Sequence, residues 1–447
     1  MIDLKNKKVL VAGLGISGFK AAEFLASKGA FVRVSEGADN DNVRRYLSGL
    51  EKYGIEYEAG LHSEKFCKEA DMVVVSPGVS IESIPVLTAK RLGIPVIGEM
   101  ELGFMFSRAP VIAITGTNGK STTTELIGNI IACSGRPAVV CGNIGNPLCG
   151  EINRLTPESI AVVEVSSFQL ETIRTFRPYI AVLLNITEDH YDRHGNFENY
   201  KLSKFRIFEN QAPEDWAVLY EDFMSEPLTE KIKSRKVFYS GKNGYIENRG
   251  YGKNLTGGSV MSFISMICGE IPIKGIHNME NISCAVMTGR ILGLSDDVIR
   301  RGIIGFRPLH HRFEKVREIR GIEFIDDSKA TNIDATKRAL ESAERKVILI
   351  AGGRDKGGDY RSILPVFKDK VKSVVLIGEA GPLIKKALGD HVENWEARNM
   401  TEAVRKAFSL AQPGEAVLLS PMCSSFDMYA SYKHRGSDFQ KEVMSLN

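Results

Sequence analysis

Residues 116–122 have the composition of a phosphate-binding loop. They read Gly-Thr-Asn-Gly-Lys-Ser-Thr, follow the apolar run 111–114 and precede a predicted helix that extends to Cys133. In such loops the backbone amides bind phosphate oxygens, the lysine reaches the β- and γ-phosphates, and the next hydroxyl ligates Mg²⁺. The common pattern has a further glycine where Ile114 stands, so this loop departs from the common form. We expect it to bind a nucleoside triphosphate through Lys120 and to hold Mg²⁺ through Ser121.

Two further polar residues follow neighbouring predicted strands. Glu164 lies near the end of the run 160–165, and His190 follows the run 180–184. Taken singly, each is more often an ordinary polar residue at a strand end. Because ligands bind at the carboxyl edge of open parallel sheets, the two together favour a metal-assisted phosphoryl-transfer site. Lys204 lies on a predicted helix over 196–208, where residue type alone predicts a solvated surface lysine.

A second glycine-rich turn lies near the N-terminus. Gly13, Gly15 and Gly18 form a G-x-G-x-x-G pattern directly after the run Lys8–Ala12. Such a turn lets a phosphate approach the backbone and the N-terminus of the following helix. Glu36 ends the second predicted strand, where an acid can bond a ribose or a base. The pattern predicts a nucleotide-diphosphate site without distinguishing NAD from UDP, and a tight turn without a ligand is the alternative.

The elements around these motifs predict an α/β protein of three segments. In residues 1–98, 99–308 and 309–447, short apolar runs alternate with helical stretches, the pattern of parallel βαβ units. We expect a Rossmann-like N-terminal domain, a central ATP-binding domain of the P-loop type with a mainly parallel sheet, and a Rossmann-like C-terminal domain. The predicted strands cover residues 8–12, 31–34, 72–75, 95–97, 111–114, 138–141, 160–165, 180–184, 323–325, 346–350, 373–377 and 416–419. Further helices are predicted over 277–292 and from Ser437 onward.

Composition narrows the class of protein. The net charge is +3, which gives no electrostatic reason to expect nucleic acid or an anionic membrane as a partner. The seven cysteines are odd in number and lack Cys-x-x-Cys spacing, which argues against a disulfide framework or a zinc site and favours the reducing cytoplasm. The apolar run 9–12 is too short for a signal peptide, and no stretch approaches the roughly 18 apolar residues of a membrane span.

The motifs and their order resemble the Mur ligase family, whose fold is shared by folylpolyglutamate synthetases. The loop at 116–122, Glu-Val-Ser-Ser-Phe-Gln-Leu at 164–170, Asp-His at 189–190 and His-Asn-x-x-Asn at 277–281 are similar to the family's central domain. His-Arg-Phe-Glu at 311–314, Asp-Asp-Ser-Lys-Ala-Thr-Asn at 326–332 and Gly-Gly-x-Asp-Lys-Gly at 352–357 are similar to its C-terminal domain. The first glycine turn, the segment 326–332 and Ser-Pro-Met-Cys-Ser-Ser-Phe-Asp at 420–427 resemble the branch that adds D-glutamate.

The resemblance implies an ATP-dependent amide-bond ligase of cytoplasmic peptidoglycan precursor synthesis. Its substrates would be UDP-N-acetylmuramoyl-L-alanine and D-glutamate, and we expect a monomer without nucleic-acid partners. The muramoyl-bound carboxylate would attack the γ-phosphorus of ATP, and the D-glutamate amine would attack the resulting acyl phosphate. Because acyl phosphates hydrolyse, the site has to exclude water, which a closing third domain would accomplish.

Carried onto matching positions, the resemblance implies a set of site residues. The catalytic residues would be Lys120, Glu164, His190 and Lys204. Two Mg²⁺ ions would be held, one by Ser121 and Glu164 and one by His190 and a carbamylated Lys204, since carbamylation supplies the oxygen ligands that Mg²⁺ prefers. ATP would contact Gly116, Thr117, Asn118, Gly119, Lys120, Ser121, Thr122, Thr123, Asn278, Asn281, Arg312 and Asp327. The UDP substrate would contact Gly13, Gly15, Ile16, Ser17, Glu36, Gly78 and Asn143. D-Glutamate would contact Lys329, Thr331, Lys356, Ser425 and Phe426, and the two lysines suit its carboxylates.

Three other functions fit parts of the sequence. An NAD-linked oxidoreductase would use the first glycine turn but leaves the loop at 116–122 unexplained. A nucleotide-gated binding switch leaves the downstream anion-binding segments unexplained. A sibling ligase that adds a different amino acid, or a ligase like the folylpolyglutamate synthetases, stays open, although the Asp-Asn-Pro segment expected of a diaminopimelate- or lysine-adding member is absent.

Overall fold

The computed structural model describes residues 3–240, 260–273 and 275–446. The described residues form three β-sheets with helices between the strands, which confirms the predicted fold class. They divide into two compact units, the first within residues 1–185, 201–270 and 280–305 and the second within residues 186–200, 271–279 and 306–447. The first unit contains the first two sheets, and the second unit contains the third.

The first sheet is parallel and has the strand order β3-β2-β1-β4-β5. Its strands are β1 (Lys8–Ala12), β2 (Phe31–Glu36), β3 (Glu56–Ala59), β4 (Met72–Val75) and β5 (Val96–Gly98). The helices of this segment are α1 (Ile16–Ser27), α2 (Asp41–Leu50), α3 (Glu64–Cys67), α4 (Ile84–Arg91) and α5 (Glu99–Phe106). Alternate residues of β1 and β4 belong to two different apolar clusters, because both faces of a parallel sheet are covered. The edge strand β3 was not predicted.

The second sheet is also parallel and has the order β11-β10-β9-β6-β8-β7. Its strands are β6 (Val111–Thr115), β7 (Ala138–Gly142), β8 (Ile160–Glu164), β9 (Ile180–Leu183), β10 (Trp216–Tyr220) and β11 (Arg235–Tyr239). Every residue of β6, β8 and β9 is buried, so these three strands form a rigid centre whose carboxyl ends lie side by side. The last two strands, β10 and β11, were not predicted.

Nine α-helices follow in the described part of the segment 116–305. They are α6 (Lys120–Cys133), α7 (Leu148–Glu151), α8 (Ser167–Leu170), α9 (Tyr191–His194), α10 (Phe197–Phe205), α11 (Pro227–Glu230), α12 (Val260–Ile267), α13 (Ile276–Ile291) and α14 (Asp296–Ile304). The helix predicted over 196–208 is therefore α10 followed by a 3₁₀ turn over Arg206–Phe208. Across residues 3–240, 260–273 and 275–446, no helix has both the length and the apolar character needed to cross a membrane.

The third sheet has the order β12-β13-β17-β14-β15-β16. Its strands are β12 (Glu314–Ile319), β13 (Ile322–Asp326), β14 (Val347–Gly352), β15 (Val371–Ile377), β16 (Glu393–Glu396) and β17 (Ala416–Leu419). The helices are α15 (Ile333–Ser342), α16 (Leu364–Lys370), α17 (Gly381–Leu388), α18 (Met400–Leu410) and α19 (Tyr432–Met444). The edge strand β12, which was not predicted, pairs antiparallel with β13, whereas the other strand pairs of this sheet are parallel. The terminal helix begins at Tyr432 rather than at Ser437, because the Ser431 hydroxyl caps it by accepting from the His434 amide at 3.2 Å.

Candidate active site

The loop at 116–122 connects β6 to α6 and depends on two glycines. Gly116 has φ 155° and Gly119 has φ 85°, values that residues with a Cβ rarely adopt. A Cβ at Gly119 would overlap the side-chain oxygen of Asn281, and one at Gly116 would lie 3.0 Å from Leu184 Cβ. The loop is therefore packed closely from behind, and larger residues at these two positions would displace it.

Asn185, which follows β9, fixes the conformation of this loop. Its backbone carbonyl accepts from the Thr117 amide at 2.9 Å, and its side-chain oxygen accepts from the Asn118 amide at 2.8 Å. Its side-chain amide donates to the Asn118 carbonyl at 3.1 Å. No role was predicted for Asn185, although a polar residue shortly after a buried strand is a usable signal. We assign it a positioning role.

Two lysine side chains meet at this loop. Lys120 Nζ donates to the carbonyls of Gly116 at 2.9 Å and Thr117 at 2.8 Å. Lys204, on α10, is only 1% exposed and also donates to the Gly116 carbonyl, at 2.8 Å. The expectation from residue type of a solvated Lys204 is wrong. Two amines beside this loop create a site suited to a polyphosphate.

Glu164 and Asn143 lie at the same edge of the second sheet. Glu164 is the last residue of β8 and pairs in register with Ile114 of β6 and Gly142 of β7. Glu164 is 2% exposed, and its carboxylate accepts from Asn143 Nδ2 at 2.8 Å. Burial raises the pKa of Glu125 on α6, and the negative charge of Glu164 raises it further. Glu164 and Asn143 therefore lie together at the carboxyl edge that carries the loop.

The hydroxyl residues that open α6 are buried. Ser121 is 5% exposed, Thr122 7% and Thr123 0%. Thr123 Oγ1 donates to the side-chain oxygen of Asn281 on α13 at 3.1 Å, so Asn281 is held directly behind the loop. Asn278 lies on the same helix but belongs to the second compact unit.

The first glycine turn is closed on one side and open on the other. A Cβ at Gly18 would overlap the Gly13 carbonyl, which also accepts from Ser76 Oγ at 2.9 Å. In contrast, a Cβ at Gly15 or at Gly78 would meet no heavy atom within 4 Å. Of the other predicted contacts in this turn, Ile16 is 44% exposed and Ser17 is partly exposed.

Hydrogen bonds to the Glu36 side chain connect the end of β2 to this turn. Its carboxylate accepts from the Leu14 amide at 2.6 Å and from the Ala38 amide at 2.8 Å. These bonds hold the turn in place and still leave lone pairs for a ligand, since an ionised carboxylate has about four acceptor sites. The open side of the turn can admit a diphosphate.

The second unit contains a cavity of about 300 Å³ lined in part by Asp189, Asn332 and Lys356. Asp189 accepts from Asn332 Nδ2 at 3.0 Å and forms an ion pair with Lys356 Nζ at 3.2 Å. Burial raises the pKa of Asp189, but Lys356, His190 and the hydrogen bonds outweigh it and hold that pKa below its ordinary value. His190 has φ 56°, and its backbone amide donates to the Asp189 carboxylate at 2.9 Å. The cavity thus offers a lysine, an amide and a carboxylate, groups that can bind a zwitterion.

The other predicted residues of the second unit lie outside the lining of this cavity. Lys329 Nζ lies 4.2 Å from the centre of the Tyr432 ring. Ser425 is buried, Phe426 is 65% exposed, and Thr331 and Arg312 are partly buried.

Asp327 is buried at the end of β13. Burial raises its pKa to about 7, and hydrogen bonds from the Ser420 hydroxyl at 3.0 Å and the Phe313 amide at 3.2 Å oppose that rise.

The sheets, the loop at 116–122 and the glycine turn together define an α/β protein whose first unit contains two glycine-rich turns of the type that accommodates phosphates. Three family models cover most of the chain: the MurD-like N-terminal domain of Mur ligases at residues 7–98, the Mur ligase middle domain at 114–289, and the Mur glutamate ligase domain at 311–423. The chain belongs to the Mur ligase family.

Relatives with one shared name match the chain along its whole length. A UDP-N-acetylmuramoylalanine--D-glutamate ligase of Desulfosudis oleivorans is 44% identical over 450 residues, which span 100% of this chain and 98% of that protein. The ligase of the same name from Pelotomaculum thermopropionicum is 42% identical over 455 residues, spanning 99% of both chains.

Solved structures of other Mur ligases have the same fold. The UDP-N-acetylmuramate-alanine ligase MurC of Thermotoga maritima superposes with a TM-score of 0.60 at 18% identity, covering 98% of this chain and 99% of that one. The MurF ligase of Thermotoga maritima in complex with ADP superposes with a TM-score of 0.60 at 15% identity, covering 99% of each chain.

Proposed function

We propose that this protein is an ATP-dependent ligase that joins D-glutamate to UDP-N-acetylmuramoyl-L-alanine during cytoplasmic synthesis of peptidoglycan precursors. The observation that carries the proposal is the meeting of Lys120 and Lys204 at the Gly116 carbonyl, in a glycine loop on the same sheet edge as Glu164. This arrangement suits transfer of a terminal phosphoryl group. The full-length relatives named for this reaction support the choice of substrates.

In the proposed reaction, the carboxylate of the L-alanine residue attacks the γ-phosphorus of ATP, which forms an acyl phosphate and releases ADP. The D-glutamate amine then attacks the acyl carbon and loses a proton, and phosphate leaves as the amide forms. Lys120 would exchange its two loop carbonyls for phosphate oxygens and stabilise the charge that develops during the first transfer. The loop amides would hold the triphosphate in line with the incoming carboxylate.

The oxygen atoms available at the loop are suitable ligands for Mg²⁺. Ser121 supplies a hydroxyl and Glu164 a carboxylate that Asn143 orients, and Mg²⁺ prefers such oxygen ligands. We assign one ion to Ser121 and Glu164, where it would neutralise triphosphate charge.

A second Mg²⁺ is assigned to Lys204 in its carbamylated form. Carbamylation joins CO₂ to a neutral amine and releases a proton, and the burial of Lys204 removes the water that would stabilise its charged form. His190 remains a predicted ligand of the second ion.

The acceptor amino acid is assigned to the third segment of the chain. Lys356 would release Asp189 and bind a D-glutamate carboxylate, with Lys329, Thr331, Ser425 and Phe426 as predicted further contacts. Domain boundaries near residues 98 and 308 are proposed because each resulting segment contains one of the three sheets. We also propose that the protein acts as a monomer in the cytoplasm.

Phosphate release from ATP tests the proposed function. Purified protein receives ATP, Mg²⁺ and UDP-N-acetylmuramoyl-L-alanine, and D-glutamate, L-glutamate, L-alanine or L-lysine is added in separate reactions. We expect stoichiometric phosphate and amide product with D-glutamate alone. Phosphate release with L-lysine instead would identify a sibling ligase. Phosphate release that needs no amine would favour a nucleotide-gated switch over a ligase. The Lys120→Ala variant serves as the control for contaminating phosphatase.

A further inference from the structure

A buried carboxyl group at the start of α5 bonds to the backbone of α7, and none of the assigned roles uses it. Glu99 is 1% exposed, and its Oε1 accepts from the Cys149 backbone amide at 2.7 Å. The Cys149 thiol in turn donates to the Glu99 backbone carbonyl at 3.3 Å. Cys149 is the second residue of α7, and the first amides of a helix have no partner within it. Pro147, which precedes α7, has no side-chain acceptor, so Glu99 supplies an acceptor from another helix.

Stability alone does not explain a carboxyl group at this position. Among the residues that the structure describes, Glu99 Oε2 is buried and has no hydrogen-bond partner. Because a buried polar atom without a partner costs free energy, an apolar side chain of similar length would suit the fold about as well. Glu101, equally buried on the same helix, differs because both of its oxygens accept from the backbone amides of residues 174–176. The bond to α7 is therefore the feature of Glu99 that requires an acceptor.

The helix α7 continues directly from the loop at 143–147, which follows β7. The backbone amide of Asn143 donates to the Glu164 carbonyl at 2.9 Å, and its side-chain amide donates to the Glu164 carboxylate at 2.8 Å. At the other end of the loop, Asn146 Nδ2 donates to Oε1 of Glu151 on α7 at 2.6 Å. The loop is thus attached both to the second sheet and to α7, so a shift of α7 would displace Asn143.

The helix α7 also packs against α1 and α5. A Cβ at Gly150 would lie 3.3 Å from Lys20 Cδ on α1, and a Cβ at Gly103 on α5 would lie 2.8 Å from Leu148 Cγ. The helix α1 begins directly after the first glycine turn, where a diphosphate is expected. The position of α7 therefore determines the distance between that turn and the loop at 143–147.

We propose that Glu99 is a positioning residue that fixes the distance between the first glycine turn and Asn143, the two places that the UDP-linked substrate has to reach at once. This inference rests on the proposed function, in which the substrate carries a muramoyl group beyond its diphosphate. UDP alone would reach only the turn. A displaced α7 should leave UDP binding unchanged and weaken binding of the complete substrate, because one ligand engages two places only at the right spacing.

Calorimetric titration of the full-length protein with UDP and with UDP-N-acetylmuramoyl-L-alanine tests this assignment. Both titrations contain Mg²⁺ and a saturating non-hydrolysable ATP analogue. We expect the wild type to bind the complete substrate more tightly than UDP. Glu99→Met keeps the length of the side chain and removes the acceptor, so it should bind the complete substrate about tenfold more weakly and UDP unchanged. Glu99→Gln keeps an acceptor oxygen and should retain both wild-type affinities.

The thermal unfolding midpoint and a matched variant separate positioning from general destabilisation. Glu99→Met should unfold close to the wild-type midpoint, because removal of the unpaired oxygen offsets the lost bond to Cys149. Glu101→Gln is the matched control, since Glu101 lies on the same helix with the same burial but bonds to residues 174–176. It should lower the midpoint and keep the wild-type ratio of the two affinities.

Each other outcome has a defined meaning. A wild type that binds neither ligand contradicts the UDP site of the proposed function itself. A wild type that binds the complete substrate no more tightly than UDP leaves that site standing and overturns the positioning role. Unchanged substrate affinity in Glu99→Met, or an equal loss for both ligands, also overturns it. A selective loss of substrate affinity in Glu99→Gln or in Glu101→Gln would show that the acceptor oxygen of Glu99 is not the cause.

Discussion

Replacing Gly119 by alanine should weaken nucleotide binding far more than it weakens the fold. Gly119 has φ 85°, where a residue with a Cβ costs about 1–2 kcal/mol. The new Cβ would also overlap Asn281 Oδ1, which accepts from Thr123 at 3.1 Å, so the loop has to move. Loss of one charge-assisted bond from a loop amide to a phosphate costs about 1.5–3 kcal/mol. We therefore expect about 10- to 100-fold weaker ATP binding.

Gly135 provides a matched control at the other end of the same helix. It follows α6 with φ 82°, and a Cβ there would meet no heavy atom within 4 Å. Gly135→Ala should therefore bring the same backbone strain without displacing the loop. Two quantities are measured for each variant. Calorimetric titration with a non-hydrolysable ATP analogue gives the binding affinity, and thermal unfolding gives the midpoint temperature. Similar midpoints are expected for the two variants, with weakened binding confined to Gly119→Ala.

Two results would refute this reasoning. Wild-type affinity in Gly119→Ala, at a lowered midpoint, would mean that the loop geometry does not determine nucleotide binding. Equal loss of affinity in both variants would mean that helix strain, rather than the position of the loop, weakens binding.

Three further changes have defined outcomes. Lys120→Ala should lower turnover at least about 100-fold with an unchanged unfolding midpoint, and full activity would remove the phosphate-loop assignment. Lys204→Ala should have little activity and regain part of it with acetate or bicarbonate, whereas near-wild-type activity without rescue would exclude the carbamate. Burial raises the pKa of Glu99 to about 7, so the folded state keeps a proton that the unfolded state has released above about pH 4.5. The wild type should therefore lose stability as the pH rises from about 4.5 to 7, and Glu99→Gln should not. The measurement is the difference in free energy of unfolding between the two proteins, and a difference that stays constant between about pH 5 and 8 would contradict this prediction.

Sequence pattern predicted the central strands better than the edges. The strands β1 and β4 were predicted with their observed bounds, because strands covered on both faces are continuous apolar runs. The edge strands β3 and β16 read Glu-Tyr-Glu-Ala and Glu-Asn-Trp-Glu, and none of their residues is buried. Such strands form because a neighbour offers hydrogen-bond partners, which leaves no periodic signal in their own residues. In contrast, β10 is an apolar run that the pattern could have indicated.

The parts of the site that are local in sequence were predictable, and those made by distant contacts were not. The strand, the glycine loop and the helix of residues 111–133 are contiguous, so spacing alone indicated their geometry. The burial of Lys204 depends on the Gly116 carbonyl, 88 residues earlier in the chain. Likewise, the hydrogen bond between the Asn118 amide and the Asn185 side chain joins residues that are 67 positions apart in the sequence. The family, predicted from the order of motifs, is confirmed by matches along the chain.

Isotope transfer from the carboxyl group tests the central claim most directly. UDP-N-acetylmuramoyl-L-alanine with heavy oxygen in both carboxyl positions is turned over with ATP and D-glutamate, and the released phosphate is analysed by mass spectrometry. If the terminal phosphoryl group of ATP is transferred to that carboxylate, each phosphate carries one heavy oxygen and the new amide retains the other. Phosphate without heavy oxygen, released in step with amide formation, would contradict transfer to the carboxylate.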